Sequence, residues 1–136
     1  AYHRVLRAQR NHIPALNNLA YIYADSGEAD KALQFATRAY VLAPKEGAVL
    51  DTLGYVLLKN GKAADALKVL EKAIEAAPQN PEIRYHLALS HAKNGDNASA
   101  VENLKKALEA GSFAEADKAR ALLSELEKGK AARKTR

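Results

Sequence analysis

The chain contains no cysteine, no methionine and no tryptophan among its 136 residues. Without cysteine there is no disulfide framework, no thiolate metal ligand and no thiol nucleophile, and this absence is compatible with either the cytoplasm or the periplasm. Aromatic residues make up only 6% of the chain, whereas hydrophobic residues make up 48%, many of them alanine. This composition suits closely packed helices better than a β-sandwich, which needs β-branched and aromatic runs.

Long hydrophobic runs are absent as well. No apolar stretch approaches the roughly 20 residues that a membrane-spanning helix needs, and no signal peptide is visible. The chain begins without methionine, inside a segment with helical periodicity, so we expect it to be a fragment of a longer protein.

Sequence motifs of catalytic and metal sites are also missing. The four histidines, at positions 3, 12, 86 and 91, never pair at the i, i+4 spacing that places two metal ligands on one helix face. No P-loop and no GxGxxG motif occurs, and the carboxylates are spread along the chain. We therefore expect no enzymatic activity, no metal and no cofactor. His91 is expected in a helix core and His86 at the surface or at a groove edge.

The formal net charge of +5 comes from the two ends of the chain. Residues 1–12 carry three arginines and no acid, and residues 128–136 carry five basic residues and no acid. The remaining 13 basic and 16 acidic residues lie in 13–127, which therefore has a net charge of −3. The basic character is not on the predicted folded body, so it does not by itself indicate a nucleic-acid-binding face.

The most informative feature is an internal repeat with a period of 34 residues. The chain divides into three repeats without gaps, at 13–46, 47–80 and 81–114. The period relates Gly27 to Gly61 and Gly95, Pro44 to Pro78, Ala32 to Ala66 and Ala100, Ala39 to Ala73 and Ala107, and Leu19 to Leu53 and Leu87.

Within each repeat the pattern predicts two helices joined by a turn. In the first repeat, apolar residues at helical spacing lead to Gly27, a residue suited to the left-handed end of a helix. A second helix is expected from about Ala29 to Leu42, because Pro44 cannot continue it. Asn80 and Pro81 are typical of an N-cap and a first helical residue.

Small residues recur where the helices are expected to cross closely. Large side chains at these positions would push the helix axes apart. Because one hairpin alone buries only one face, the stack of hairpins is the stable unit. The residues expected to meet within the hairpins are Ala20, Gly54 and Ala88 on the first helices, and Ala32, Ala66 and Ala100 on the second.

This pattern resembles the tetratricopeptide repeat over about residues 13–114. The resemblance implies an all-α fold, a right-handed superhelical stack of antiparallel helix hairpins with about eight helices, and a non-catalytic, protein-binding role. The third repeat departs from the family pattern at Arg84, His91 and Ser112. The second repeat matches it best, in Leu50-x-x-Leu53-Gly54-x-x-Leu57 followed by Gly61, Ala66, Ala73 and Pro78.

The flanking segments extend the same repeat pattern. We expect residues 1–12 to form the second helix of a truncated preceding repeat, residues 115–127 to form a capping helix, and residues 128–136 to be a disordered basic tail. Truncation would expose apolar residues of the first segment, and exposed apolar patches favour self-contact. This predicts a homo-oligomer contact through the N-terminal edge.

The first helix of each repeat lines the concave surface in this family, so the resemblance implies a partner-binding groove there. Tyr21, Tyr55 and Leu89 hold equivalent positions and are expected to form an apolar row, which would suit a peptide or a partner helix. For any one tyrosine, packing between neighbouring repeats is the alternative. The candidate partner-binding residues are Asn17, Tyr21, Asp51, Tyr55, Leu58, Lys59, Tyr85, Leu89 and Lys93, with Asp25 beside them.

One subtype of the family does not fit these residues. Chaperone-tail receptors hold a C-terminal carboxylate with lysine and asparagine side chains from successive repeats. At the matching positions only one amide is present, and Glu82 would repel a carboxylate. The matching residues here are Asn17, Tyr21, Thr52, Glu82 and His86.

A narrower resemblance concerns the cellular context. The runs ALNNLAYIYADSG and LDTLGYVLLKNGK are similar to the C-terminal repeats of bacterial tetratricopeptide lipoproteins of exosortase and exopolysaccharide systems. This implies a periplasmic or envelope-associated protein, with a cytoplasmic location as the alternative. A structural spacer, a self-assembling repeat module, and nucleic-acid or anionic-surface binding by the basic tail are the other open functions. The tail lacks the interleaved aromatic residues that proteins binding single strands use for base stacking.

Overall fold

The computed structural model describes residues 12–134, with side chains placed as far as Gly129. Within this range the chain forms seven α-helices and no β-strand. The predicted helix in residues 1–12, and the oligomer contact expected through it, lie outside the described residues apart from His12. The helices are α1 (Ile13–Asp25), α2 (Ala29–Leu42), α3 (Gly47–Lys59), α4 (Ala63–Ala76), α5 (Pro81–Lys93), α6 (Asn97–Ala110) and α7 (Ala116–Lys134).

The helices stack in chain order as hairpins. α1 packs against α2, α3 against α4, and α5 against α6, and each hairpin packs against the next. In addition α1 contacts α3 and α3 contacts α5, so the first helices of the hairpins lie side by side and form one face of the stack. This confirms the predicted all-α solenoid.

Three equivalent glycine turns connect the helices of each hairpin. Gly27, Gly61 and Gly95 have φ values of 83°, 77° and 86°, in the left-handed region that non-glycine residues rarely adopt. The N–H of Glu28, which follows the first turn, donates to the carbonyl of Tyr23 at 2.9 Å. This closing bond is typical of a glycine-terminated helix, and it confirms the predicted turns.

The helix starts follow ordinary capping chemistry. Asn80 accepts a hydrogen bond from the N–H of Ile83 at 3.1 Å, and Pro81 begins α5, as the sequence predicted. α2 ends at Leu42, before Pro44, which also agrees with the prediction. His12 caps α1, since its Nδ1 accepts from the N–H of Ala15 at 3.3 Å.

Alanines form the close crossings of the core. Ala20, Ala32 and Ala66 are fully buried in one cluster, and Ala88 and Ala100 are fully buried in another. The atoms nearest to Gly54 belong to Leu70. A methyl group added there would lie 2.4 Å from Cγ of Leu70.

We expect Ala66→Leu to lower the free energy of unfolding by about 1–3 kcal/mol, because three additional carbons have no space in a fully buried site. Urea unfolding followed by circular dichroism measures the change. Ala64→Leu is the matched control, since Ala64 lies on the exposed face of the same helix. Equal stabilities of Ala66→Leu and the parent would show that this crossing is looser than described.

The last helix is longer than the sequence predicted. α7 spans 19 residues and ends at Lys134, so residues 128–134 continue the helix where a disordered tail was expected. Alanine, lysine and arginine dominate this segment and are good helix formers, which makes an extension beyond the packed part physically reasonable. Ala119 is fully buried, and Leu122 and Leu123 pack beside it against the third hairpin.

None of the helices in the described part of the chain combines the length and the apolar character that crossing a bilayer requires.

Candidate partner-binding groove

Aromatic side chains form a continuous row along the face made by α1, α3 and α5. Tyr21 and Tyr55, here called the tyrosine pair, stack with ring centroids 4.7 Å apart and planes inclined by 27°. The Tyr55 ring lies 5.1 Å from the His86 ring. Both tyrosines are partly buried. The equivalent third position, Leu89, is also half-buried and packs against the cores of two neighbouring hairpins.

Asp51 connects the three hairpins through hydrogen bonds. Its Oδ1 lies 2.7 Å from Nδ1 of His86 on α5, and its Oδ2 accepts from the hydroxyl of Tyr21 on α1 at 3.4 Å. A second bond of the same kind joins the hydroxyl of Tyr55 to Asp25. These bonds between repeats hold the aromatic rings in fixed positions, which reduces the entropy that a ligand contact would otherwise cost.

The Asp51–His86 pair is buried and electrostatically coupled. Asp51 is 6% exposed and His86 is 2% exposed. Burial by itself lowers the pKa of His86, but the hydrogen bond and the charge of Asp51 raise it above the ordinary value, helped by the charges of Glu115 and Glu82. The carboxylate of Asp51 therefore shifts the equilibrium of His86 toward the protonated imidazole and links α3 to α5.

The tyrosine hydroxyls remain neutral hydrogen-bond donors. Burial raises the pKa of Tyr21 far above its ordinary value, and the negative charge of Asp51 raises it further. Burial and the hydrogen bond to Asp25 raise the pKa of Tyr55 in the same direction. Both phenols therefore keep their protons and are suited to hydrogen-bonding contacts.

Two carboxylates of the third hairpin and the segment after it act on the ring row through their charges. Glu82 lies in the first turn of α5 and Glu115 immediately precedes α7. Burial raises the pKa of Glu82, and the charges of Glu115 and Asp51 raise it further, against a lowering effect of His86. Glu115 also raises the pKa values of Tyr21, Tyr55 and Tyr85, so its charge reaches residues of all three hairpins.

The candidate residues of the sequence separate into accessible and buried ones. Asp51, Leu58 and Tyr85 are only 6%, 7% and 7% exposed, so they lie in the interior and not on an open groove surface. Leu58 belongs to a core cluster that extends from the first hairpin to Leu87 of the third, and Tyr85 packs against Phe113 with ring centroids 6.2 Å apart. The accessible candidates are Asn17, Tyr21, Tyr55 and Leu89, which are half-buried, and Lys59 and Lys93, which are exposed.

Lys59 lies over the open side of the tyrosine pair. Its Nζ is 5.4 Å from the centroid of the Tyr55 ring. This contact shows that the ring face is accessible to a cationic group, and cations are attracted to the electron-rich face of tyrosine.

His86 was predicted at the surface or at a groove edge, and that prediction is wrong. The His86 side chain is buried in the protein interior. Its Nδ1 forms a hydrogen bond with the buried carboxylate of Asp51, and this bond replaces the hydration that the imidazole loses. The two residues are 35 positions apart, one more than the repeat period. This contact could have been predicted from the sequence. Positions about one period apart on neighbouring first helices meet when hairpins stack, and here they carry an acid and a histidine.

Comparisons with known proteins agree with this architecture. A family model described as "Tetratricopeptide repeat" matches residues 1–47 and 52–115, which is more than half of the chain. A search of curated proteins found no match. Among solved structures, a thermophilic TPR protein of Thermus thermophilus is 22% identical with a TM-score of 0.81, covering 92% of this chain and 69% of that chain.

Two further solved structures have the same fold. MamA is 23% identical with a TM-score of 0.78, and the match covers 98% of this chain and 77% of that chain. The Yersinia enterocolitica type III secretion chaperone SycD, solved in complex with a peptide of the translocator YopD, is 19% identical with a TM-score of 0.72, covering 85% and 92% of the two chains. At these identities the similarity shows the fold alone. The family model matches residues 1–47 and 52–115, and the chain therefore belongs to the tetratricopeptide repeat family.

Proposed function

We propose that this chain is a non-catalytic scaffold that binds a peptide or a helix of a partner protein along its concave face. The observation that carries the proposal is the stacked, partly exposed tyrosine pair on the face made by α1, α3 and α5. Solvated helix faces usually carry lysine, glutamate or glutamine at such positions. Tyrosine rings held by stacking and by hydrogen bonds to Asp51 and Asp25 offer a large contact area with little remaining freedom.

The fold supports the same conclusion at a coarser level. Tetratricopeptide repeats are interaction modules, and one protein of similar fold, SycD, was solved with a bound peptide. The narrower context, a bacterial envelope or exopolysaccharide assembly, is part of the proposal and rests on the resemblance of the repeat sequences. A spacer or a self-assembling module is the competing function, and it predicts no partner that depends on the tyrosine pair.

We expect Tyr55→Ala and Leu89→Ala each to weaken partner binding by more than about 1 kcal/mol, because both truncations remove apolar contact area from the groove. The measurement begins with affinity purification from the native organism and continues with calorimetric titration of the purified partner. Helical content by circular dichroism should stay at the level of the parent in both variants.

The matched controls are truncations of exposed apolar residues outside the groove. Val41 is 72% exposed and Leu42 is 39% exposed on α2, so Val41→Ala and Leu42→Ala should leave partner binding unchanged. If the groove variants bind as tightly as the parent while the α2 variants bind more weakly, the binding surface lies on the convex side. If no partner binds and the chain associates only with itself, the scaffold proposal fails in favour of self-assembly.

A further inference from the structure

The outer face of α2 exposes apolar side chains to solvent. Val41 is 72% exposed and Leu42 is 39% exposed, and Leu33 is half-buried on the same helix. These three residues line one open groove along α2 together with polar neighbours. The residues of this groove, here called the α2 face, are Asp30, Leu33, Gln34, Thr37, Arg38, Val41 and Leu42.

The equivalent positions of the other two hairpins are more polar. Thr37, Val41 and Leu42 of α2 correspond to Glu71, Glu75 and Ala76 of α4 and to Lys105, Glu109 and Ala110 of α6. All the α4 and α6 residues of this set are exposed, as a solvated helix face would be. The fold therefore accepts charged residues at two of these positions, and the apolar character of α2 is not required for packing the hairpin. A contiguous exposed apolar surface of this kind is typical of a contact with another protein.

The charges at the two ends of the α2 face have opposite signs. Asp30 lies in the first turn of α2, and Lys45 lies in the loop that follows its last turn. Both are exposed, and neither forms a salt bridge with another residue in the described part of the chain. When two copies of a helix pair in antiparallel orientation, the start of each lies beside the end of the other. The α2 face is therefore complementary in charge to a second copy of itself.

We propose that two copies of this chain associate through the α2 face, in antiparallel orientation about a two-fold axis near Thr37. In this arrangement Leu33 of each copy faces Val41 of the other, and Asp30 lies beside Lys45 of the other copy. The same surface is used by both copies, so the contact closes at a dimer. Since each copy contributes mainly one helix, the buried area is small and the dimer is weak.

A second copy matches the α2 face better than an unrelated helix does, because it supplies both the apolar residues and the opposite charges at the matching spacing. The contact is separate from the face made by α1, α3 and α5, to which α2 does not belong. The inference therefore goes beyond the proposed groove function and does not depend on it.

Sedimentation velocity over a wide range of chain concentrations tests the association. The weight-average mass of the parent should rise from that of one chain toward that of two. Val41→Glu introduces the residue that α4 carries at the equivalent position, so the helix should remain intact. It should weaken association by about tenfold or more, because its carboxylate would be buried against an apolar side chain of the other copy.

The matched control for this substitution is Ile22→Glu. Ile22 is 50% exposed on α1, outside the α2 face, and its substitution should leave association unchanged. Circular dichroism should show the helical content of the parent in both variants. If Ile22→Glu abolishes association and Val41→Glu does not, the contact lies on α1 and the proposal is wrong.

An exchange of charges tests the antiparallel orientation. Asp30→Lys and Lys45→Glu each place like charges together at both ends of the contact, so each variant alone should associate severalfold more weakly than the parent. An equimolar mixture of the two variants should recover association, because both ends of the mixed pair then join opposite charges. High salt should reduce these differences. Asp65→Lys is the matched control, since it removes an acid from the first turn of α4 and should leave association unchanged.

A chain that remains monomeric at every concentration, or a Val41→Glu variant that associates as strongly as the parent, would overturn the proposal. A mixture of Asp30→Lys and Lys45→Glu that associates no better than either variant alone would exclude the antiparallel pairing. Partner binding in the groove is measured separately through Tyr55 and Leu89. Failure of the α2 contact would therefore leave the scaffold function standing, and failure of the groove would leave the dimer standing.

Discussion

Asp51→Ala is expected to lower the free energy of unfolding by about 3–5 kcal/mol near pH 6.5. The substitution removes the carboxylate that faces Nδ1 of His86 at 2.7 Å and that accepts from the hydroxyl of Tyr21. Since His86 is only 2% exposed, its imidazole would remain in the interior without the counter-charge that compensates it. The loss therefore affects the contacts between all three hairpins.

Urea unfolding at constant pH measures this effect, and two variants define its origin. Asp51→Asn keeps an acceptor oxygen but removes the charge, so its loss should be smaller. Glu71→Ala removes a carboxylate from an exposed position on α4 and should change the stability by less than about 0.5 kcal/mol. Equal losses for Asp51→Ala and Glu71→Ala would show that the buried pair contributes nothing.

The pH dependence gives an independent check of the same pair. The pKa of His86 is raised above 6.5 in the folded chain, so its stabilising contribution is complete below that pH and is lost as the pH rises through the folded pKa. The stability difference between the parent and Asp51→Ala should therefore narrow as the pH rises above 6.5. A difference that stays constant as the pH rises would mean that the imidazole is neutral in the folded parent.

Leu70→Ala is expected to lower the free energy of unfolding by about 2–5 kcal/mol, because Leu70 is fully buried and its removal leaves a cavity. The side chain occupies the space beside Gly54, where an added Cβ would lie 2.4 Å and 2.5 Å from two Leu70 carbons. Gly54→Ala alone should therefore destabilise the chain by about 1–3 kcal/mol, despite the better helix propensity of alanine.

The effect of Gly54→Ala on stability should change sign when Leu70→Ala is also present. With Leu70→Ala present, the methyl group of Gly54→Ala enters vacated space and gains up to about 1 kcal/mol of helix propensity, so it should stabilise. Gly129→Ala is a control for propensity alone, since no atom lies within 4 Å of the added methyl. Additive effects of the two substitutions in a double-mutant cycle would contradict the close packing of Leu70 on Gly54.

The repeat architecture could be predicted from the sequence because its causes are local. Glycine adopts a positive φ at each turn, proline ends a helix, and alanine permits close crossings of helices. These features recur with the 34-residue period, which makes the pattern recognisable in the sequence. Gly27, Pro44 and Asn80 therefore correctly marked a turn, a helix end and a helix start. The side-by-side arrangement of the first helices followed from the same periodicity.

The electrostatics of the groove depend on distances between repeats, which a periodic pattern does not contain. His86 was expected near the surface, yet stacking of α3 on α5 brings it to Asp51 and buries both. Tyr85 was expected on the open groove surface, yet Phe113 from the segment before α7 packs against it. Glu115, which stands outside the three repeats, had no periodic signal, and its position depends on how the segment around Phe113 and Ala119 packs against the last hairpin. Helical periodicity assigns each residue to a face, whereas the packing of neighbouring helices determines whether that face is open, covered or paired with a charge.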